Sequence, residues 1–315
     1  MSSVFSGVVT SLVTPFRSSF DADLGPSSEV DTFRVAALTR WQARSGVRAV
    51  ALAGWAGEGS TLQRAERIAL VEAAVSAKGR MAVLAHVGTP STARSCALAL
   101  DAEAAGADGL VLVMPFYNKP SFAGIRAHVE AVAAATGLPL FLEFDEAATR
   151  VHLSSCQMAE LSRIRNVAAM IDHSTNPLHV ECMSRAKPGV AFLAAHDPTF
   201  AATALLGADG LFSAMANVAP DLVVGLWRAI CENDVGLARE FQRRLQPLAD
   251  LVEAEGAAAL KEMLHGIVGC DTAVRLPLHR LGPDARRQAA LIRQGIEAVI
   301  PPVPATLEIA RESVR

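Results

Sequence analysis

The residues of this 315-residue chain that could do chemistry gather at the ends of short apolar runs. Val167 to Ile171 is apolar or small without a break, and polarity then arrives at Asp172 and His173. A second run closes on Glu143, and a third on His196 and Asp197. Glu58 stands in the glycine-rich stretch Gly54-Trp55-Ala56-Gly57-Glu58-Gly59. Carboxylates joined by imidazole are a ligand set for Mg²⁺, Mn²⁺ or Zn²⁺. Glu143, Asp172, His173 and His196 are the candidates, for a metal that would act as a Lewis acid on a carbonyl. Without a metal, Glu143 and Asp172 as a close pair would split their pKa values into an acid and a base. A third arrangement is inert. The carboxylates pair with an arginine such as Arg150, His173 faces away as strand alternation permits, and Asp197 caps a helix at Pro198. His86 ends its own run and reads as a structural imidazole.

Only four lysines are present, Lys78, Lys119, Lys187 and Lys261, so each can be weighed as a nucleophile. Lys78 and Lys187 precede Gly and Pro at expected helix ends, and Lys261 falls late in the chain. Lys119 is in a loop on the functional side. The fuller Gly-x-x-x-x-Gly-Lys pattern of a phosphate cradle is missing.

The elements that must position these residues alternate strictly. Apolar runs at 7–13, 47–53, 81–86, 110–114, 139–144, 167–171, 190–195 and 211–213 read as buried parallel strands. Between them helical spacing predicts helices at 29–45, 64–77, 92–105, 121–136, 154–163, 177–186, 199–206 and 218–232, with 17–28 a loop. Gly106-Ala107-Asp108-Gly109 and Gly207-Ala208-Asp209-Gly210 each close a helix and open a strand. Eight such units predict a (β/α)8 TIM barrel over 1–233, whose strand ends at the C-terminal face carry the chemistry. Helical periods at 235–253, 256–267 and 284–299 predict a C-terminal helical extension over 234–300, with 301–315 a tail.

Net charge is −3, which gives no electrostatic case for nucleic acid or an anionic membrane. No apolar run reaches the roughly 18 residues of a membrane span. Five scattered cysteines without Cys-x-x-Cys, and an N-terminus without a basic or long apolar region, point to a cytoplasmic protein with reduced thiols.

Taken together the motifs resemble the dihydrodipicolinate synthase / N-acetylneuraminate lyase family, pyruvate-dependent barrels that form an imine on a lysine. The resemblance runs over about residues 5–300 in unbroken order. Leu12-Val13-Thr14-Pro15-Phe16 is similar to the family's opening strand. Gly57-Glu58-x-x-Thr61-Leu62 resembles the loop that holds the substrate carboxylate. Pro115-Phe116-Tyr117-Asn118-Lys119-Pro120 resembles the turn whose tyrosine reaches a neighbouring subunit. Gly210 to Asn217 and Asp271-Thr272 with Arg275-Leu276-Pro277-Leu278 resemble later signatures. The resemblance implies a keto-acid or small-carboxylate ligand bound through Trp55, Ala56, Gly57, Glu58, His196 and Ser213. It also implies a homo-oligomer, dimer or tetramer, and catalytic positions at Asp172, Glu143 and Tyr117.

Those positions depart from the family. Its Ile-Lys-Glu-x-Thr or Ile-Lys-Asp-x-Ser strand becomes Met170-Ile171-Asp172-His173-Ser174, and the lysine position is assigned to Asp172. The tyrosine of Leu-Tyr-Asn-x-Pro falls on Glu143, and the paired loop threonines on Trp55 and Ala56, with Trp55 expected to fill the carboxylate pocket. Aspartate cannot form an imine. The chain is therefore expected to be either a small-carboxylate-binding or regulatory pseudoenzyme, or a lyase or hydratase working by carboxylate or metal chemistry. No resident cofactor is expected beyond that optional divalent metal.

Overall fold

Apolar runs buried on both faces have to exchange all their backbone hydrogen bonds with one another, and a closed parallel sheet does this without leaving an edge. The computed structural model, which describes residues 5–21, 25–176, 179–181, 183 and 189–297, has that arrangement. Strands β1 (Gly7–Ser11), β4 (Ala49–Leu52), β5 (Ala82–His86), β6 (Gly109–Val113), β7 (Leu140–Phe144), β8 (Val167–Asp172), β9 (Ala191–Ala194) and β10 (Gly210–Ser213) pair in order. β10 pairs with β1 to close the barrel.

The segment expected as a loop at 17–28 is instead an antiparallel hairpin, β2 (Phe16–Asp21) with β3 (Gly25–Val30), in register from Phe16↔Val30 to Asp21↔Gly25. Its polar composition hid it. It is fixed by contacts from far along the chain: Ser18 N–H donates to Asp271, and Arg275 donates to the Ser28 carbonyl.

Helices follow the strands, and several are entered through a polar cap. Asp31, Ser91, Ser121 and Ser154 accept from backbone N–H groups of the first turn at Thr32–Arg44, Thr92–Ala104, Phe122–Ala135 and Ser155–Leu161. The two Gly-Ala-Asp-Gly turns do more than stop a helix. Their first glycines sit at φ +86° and +112°. The aspartates that follow accept from the preceding strand, Asp108 from Val83 N–H at 2.8 Å and Asp209 from Phe192 N–H at 2.9 Å. A short helix, Glu146–Thr149, was not expected from the periodicity.

Alternation along the strands divides the core into two layers. Val9, Leu84, Val111, Phe141, Ile171, Leu193 and Phe212 fill the barrel. Leu142, Phe144, Met170 and Phe192 face the helices. Beyond the barrel, Val235–Val268 runs as two helical arms broken at Gly256 (φ 62°, ψ −143°), just after the gap expected at 254–255, and Pro283–Glu297 packs beside it. Among the described residues no helix is long and apolar enough to cross a membrane. Of the helix expected at 177–186, residues 179–181 and 183 are described and helical. Lys187, Cys182 and the tail at 301–315 lie outside the described residues.

Candidate functional site

Strand parity decides which polar residues meet. Phe141 and Ile171 face into the barrel, so Glu143 and His173, two positions on, face in as well. Leu84 does the same for His86. The three converge at the barrel mouth. His173 Nε2 donates to Glu143 Oε1 at 3.0 Å, and His86 Nδ1 lies 3.4 Å from Glu143 Oε2. The Phe212 ring meets both imidazoles edge-on, at centroid distances of 6.1 and 6.3 Å. His86 fits only because residue 54 is glycine. A Cβ there would come within 2.4 Å of His86 Nε2, an atom that is buried with no hydrogen-bond partner.

Electrostatics give the three groups different charges. Burial works against the Glu143 carboxylate, but His86 and the His173 hydrogen bond outweigh it and hold its pKa below the usual range. Burial also works against a charged His173, yet the bond and charge of Glu143 prevail and raise its pKa. His86 is pushed down by burial, with Glu143 only partly offsetting. The array therefore sets an imidazole pushed toward its neutral form and an imidazole drawn toward its charged form on one carboxylate favoured as the anion.

Asp172 is not part of it. Parity turns Asp172 outward with Phe144 and Met170, on the opposite face of the wall from Glu143. Its Oδ1 accepts the Ser174 N–H at 3.1 Å, and its Oδ2 lies 3.1 Å from His179 Nδ1, whose pKa it raises. Two expectations fall with this. Glu143 and Asp172 are not a close carboxylate pair, and they are not joint metal ligands. Among the described residues no three His, Cys, Asp or Glu side chains are arranged to hold a metal ion. The lysine position moves too. Set against Ile-Lys-Asp-x-Ser, Met170 to Ser174 matches at both Asp172 and Ser174, which puts the lysine position on Ile171. Ile171 is fully buried inside the barrel beside Glu143, its register partner on β7.

None of the described lysines replaces it. Lys78 pairs with Asp108 at 2.5 Å, and Lys119 is exposed at φ 48°. Lys261 is buried against Glu58, donates to the Ala273 carbonyl at 2.7 Å and lies 3.9 Å over the Phe16 ring. Burial lowers its pKa to about 8, with Glu58 acting the other way. Glu58 is thus a structural anion and not a rim ligand: it takes Lys261 on one oxygen and the Arg275 N–H on the other, at 2.8 Å.

The other expected binding residues scatter. Trp55 is 61 % exposed and lies against Gly256, so it does not fill a pocket. Ala56 is fully buried, and the Gly57 carbonyl accepts from the Thr14 hydroxyl at 2.7 Å. Ser213 is buried and donates to Asp197 at 2.6 Å. Asp197 does not cap its own helix. It also accepts from the Ala214 and Met215 N–H groups and so fixes the turn after β10. Tyr117 is 87 % exposed and takes no part in the array of its own chain.

A cavity of about 800 Å³ opens over the rim of β7 and β8. Asp145, Arg150, Asp172, His173, His179 and His196 line it, with Glu253 from the long C-terminal helix. His196 Nδ1 is held by Thr199 Oγ1 at 2.8 Å. Arg150 lines the cavity, and the two carboxylates are paired with imidazoles instead. Sequence reading missed His86 as a site residue. The available signal was its parity with Glu143 and His173 at successive strand ends.

Residues 4–294 match the profile of the Dihydrodipicolinate synthetase family. The chain is 33 % identical over 297 residues to a 4-hydroxy-tetrahydrodipicolinate synthase of Nitrobacter hamburgensis, covering 93 % of this chain and 97 % of that one. It is 32 % identical to the corresponding protein of Neisseria meningitidis, covering 93 % and 99 %. Dihydrodipicolinate synthase from Aquifex aeolicus superimposes with a TM-score of 0.86 at 28 % identity, covering 93 % of this chain and 98 % of that one. The enzyme from Methylacidiphilum fumariolicum gives 0.86 at 26 %, covering 97 % and 99 %. With its barrel, its C-terminal helices and its motif order all shared, the chain belongs to the dihydrodipicolinate synthetase family.

Proposed function

We propose that this chain has given up the imine chemistry of its family and holds a small keto acid or related carboxylate non-covalently in the rim cavity. One observation carries the reading: an isoleucine side chain, with no nucleophile, stands inside the barrel where the imine lysine belongs. An imine needs an amine of lowered pKa open to the substrate. Lys261 has the lowered pKa, but its side chain is only 1 % exposed and is already paired. The cavity suits an anion. His173 and His179 are both raised toward the charged state, and Arg150 adds a guanidinium.

The reading leaves two grades of activity, a binding or regulatory pseudoenzyme and a lyase or hydratase that dispenses with the imine. The array at the barrel mouth favours the second, because a carboxylate-oriented imidazole at a cavity wall is acid–base equipment. The protein is a cytoplasmic homo-oligomer, dimer or tetramer, in which the exposed Tyr117 turn meets a neighbouring copy.

Borohydride reduction in the presence of pyruvate, followed by intact and native mass spectrometry on one sample, tests both parts. The expected result is an unmodified chain in an oligomer. A reduced pyruvate adduct ends the non-imine reading, and a monomer under native conditions ends the oligomeric one.

A further inference from the structure

We propose that His173 is a catalytic acid–base residue whose Nδ1, the ring nitrogen not bonded to Glu143, takes a proton from the carbon beside the ketone of a bound keto acid, with Glu143 and His86 as its positioning residues. This rests on the non-imine reading above. The geometry is specific. Glu143 accepts from Nε2–H at 3.0 Å and so fixes the tautomer that leaves Nδ1 as the free nitrogen. His173 is the member of the array that lines the 800 Å³ cavity; Glu143 and His86 lie behind it. His86 meets the second oxygen of Glu143 and stops the carboxylate from turning away. Gly54, where a Cβ would meet the ring, leaves the room that His86 occupies.

The step balances without a further reactant. The C–H bond next to the ketone breaks and its proton goes to Nδ1. The bonding pair becomes the carbon–carbon double bond, and the carbonyl π pair moves to oxygen as an enolate. Reversal returns a proton from the imidazolium. The carboxylates whose charge reaches His173 are Glu143 and Asp145 from β7 and the turn after it, Asp197 from the turn after β9, and Asp172 from the outer face of its own strand. The other imidazole on Glu143, His86 from β5, is pushed toward its neutral form by burial. Across the cavity stand His179, His196 and Arg150. The carboxylates outnumber the cations close at hand, so an imidazolium formed in the step is stabilised where it arises.

The test is deuterium exchange of the pyruvate methyl group by the full-length protein in D₂O, read by proton NMR, with borohydride trapping alongside. Exchange is expected in the wild type, rising with pH as His173 loses its proton. His173→Gln should lower it about 100-fold or more. Glu143→Gln should lower the rate and move the pH midpoint downward, because the carboxylate no longer raises His173. His86→Gln should lower the rate with less movement of the midpoint. A merely structural role for Glu143 would leave the midpoint in place. Nitrogen-15 spectra of the wild-type rings, with His173 assigned by its loss in His173→Gln, give a readout that needs no variant to be active: Nε2–H is expected in the neutral form. Absent exchange, exchange unchanged in His173→Gln, or a neutral Nδ1–H form overturns the proposal. A trapped adduct overturns the non-imine reading instead, so the two failures are separable.

Discussion

At the scale of single residues, two imidazoles on one carboxylate have opposite linkage to pH. His173 has a raised pKa, so its contribution to stability is fully present below the ordinary imidazole value and is lost as pH rises through the folded one. His86 has a lowered pKa, so its contribution is present above the ordinary value and is lost as pH falls. His173→Gln should therefore destabilise most near about pH 5, by about 1.5–3 kcal/mol for a hydrogen bond to a charged group, and least near about pH 9. Urea unfolding of both proteins across that range checks it, and a difference that grows with pH would contradict the charge assignment. The same residues show what a sequence can and cannot convey. The strand end was plain from the passage of Val167–Ile171 into Asp172, but which face carried the chemistry was not. A shift of one residue exchanges inside for outside. The conspicuous charge at Asp172 drew attention from Ile171, whose significance is the amine it lacks. His86 and Glu143 lie two strands apart, with β6 between them, and nothing local in the sequence joins them.

At the scale of elements, the barrel strands and most helices were legible because their apolar spacing is their reason for forming. The β2–β3 hairpin was not, because its reason lies elsewhere in the chain. Arg275 holds it. The guanidinium donates to the Ser28 carbonyl at 2.6 Å and the Thr61 carbonyl at 3.0 Å, forks on to Glu66, and stacks 4.5 Å over the Phe16 ring. A lysine would keep the charge and lose the fork and the stacking. Arg275→Lys should cost about 1–3 kcal/mol and raise amide exchange in Phe16–Asp21 and Gly25–Val30 above that of the barrel strands. Equal protection in the variant would show that the hairpin stands without this clasp. A break near 254–255 was legible, and it falls at Gly256 because glycine is the residue that takes φ 62°, ψ −143° without strain.

At the scale of the whole molecule, a boundary at residue 233 marks a change of pattern but not a place where the chain comes apart. Glu58, in the second βα loop of the barrel, is matched by Lys261 from the C-terminal helix, 203 residues later, and both side chains are almost wholly enclosed. Removing one member of such a pair costs about 3–5 kcal/mol, because the other charge is left enclosed and unmatched. A chain ended at residue 233 should accordingly be cut rapidly by protease at the Gly54–Thr61 loop, and Glu58→Gln in the shortened chain should slow the cutting. Resistance equal to the full-length protein would mean that the barrel stands alone. During synthesis the N-terminal half leaves the ribosome long before its counter-charge does. The loop cannot settle until Lys261 arrives, so the barrel mouth is finished only after the helix that carries its counter-charge has been made.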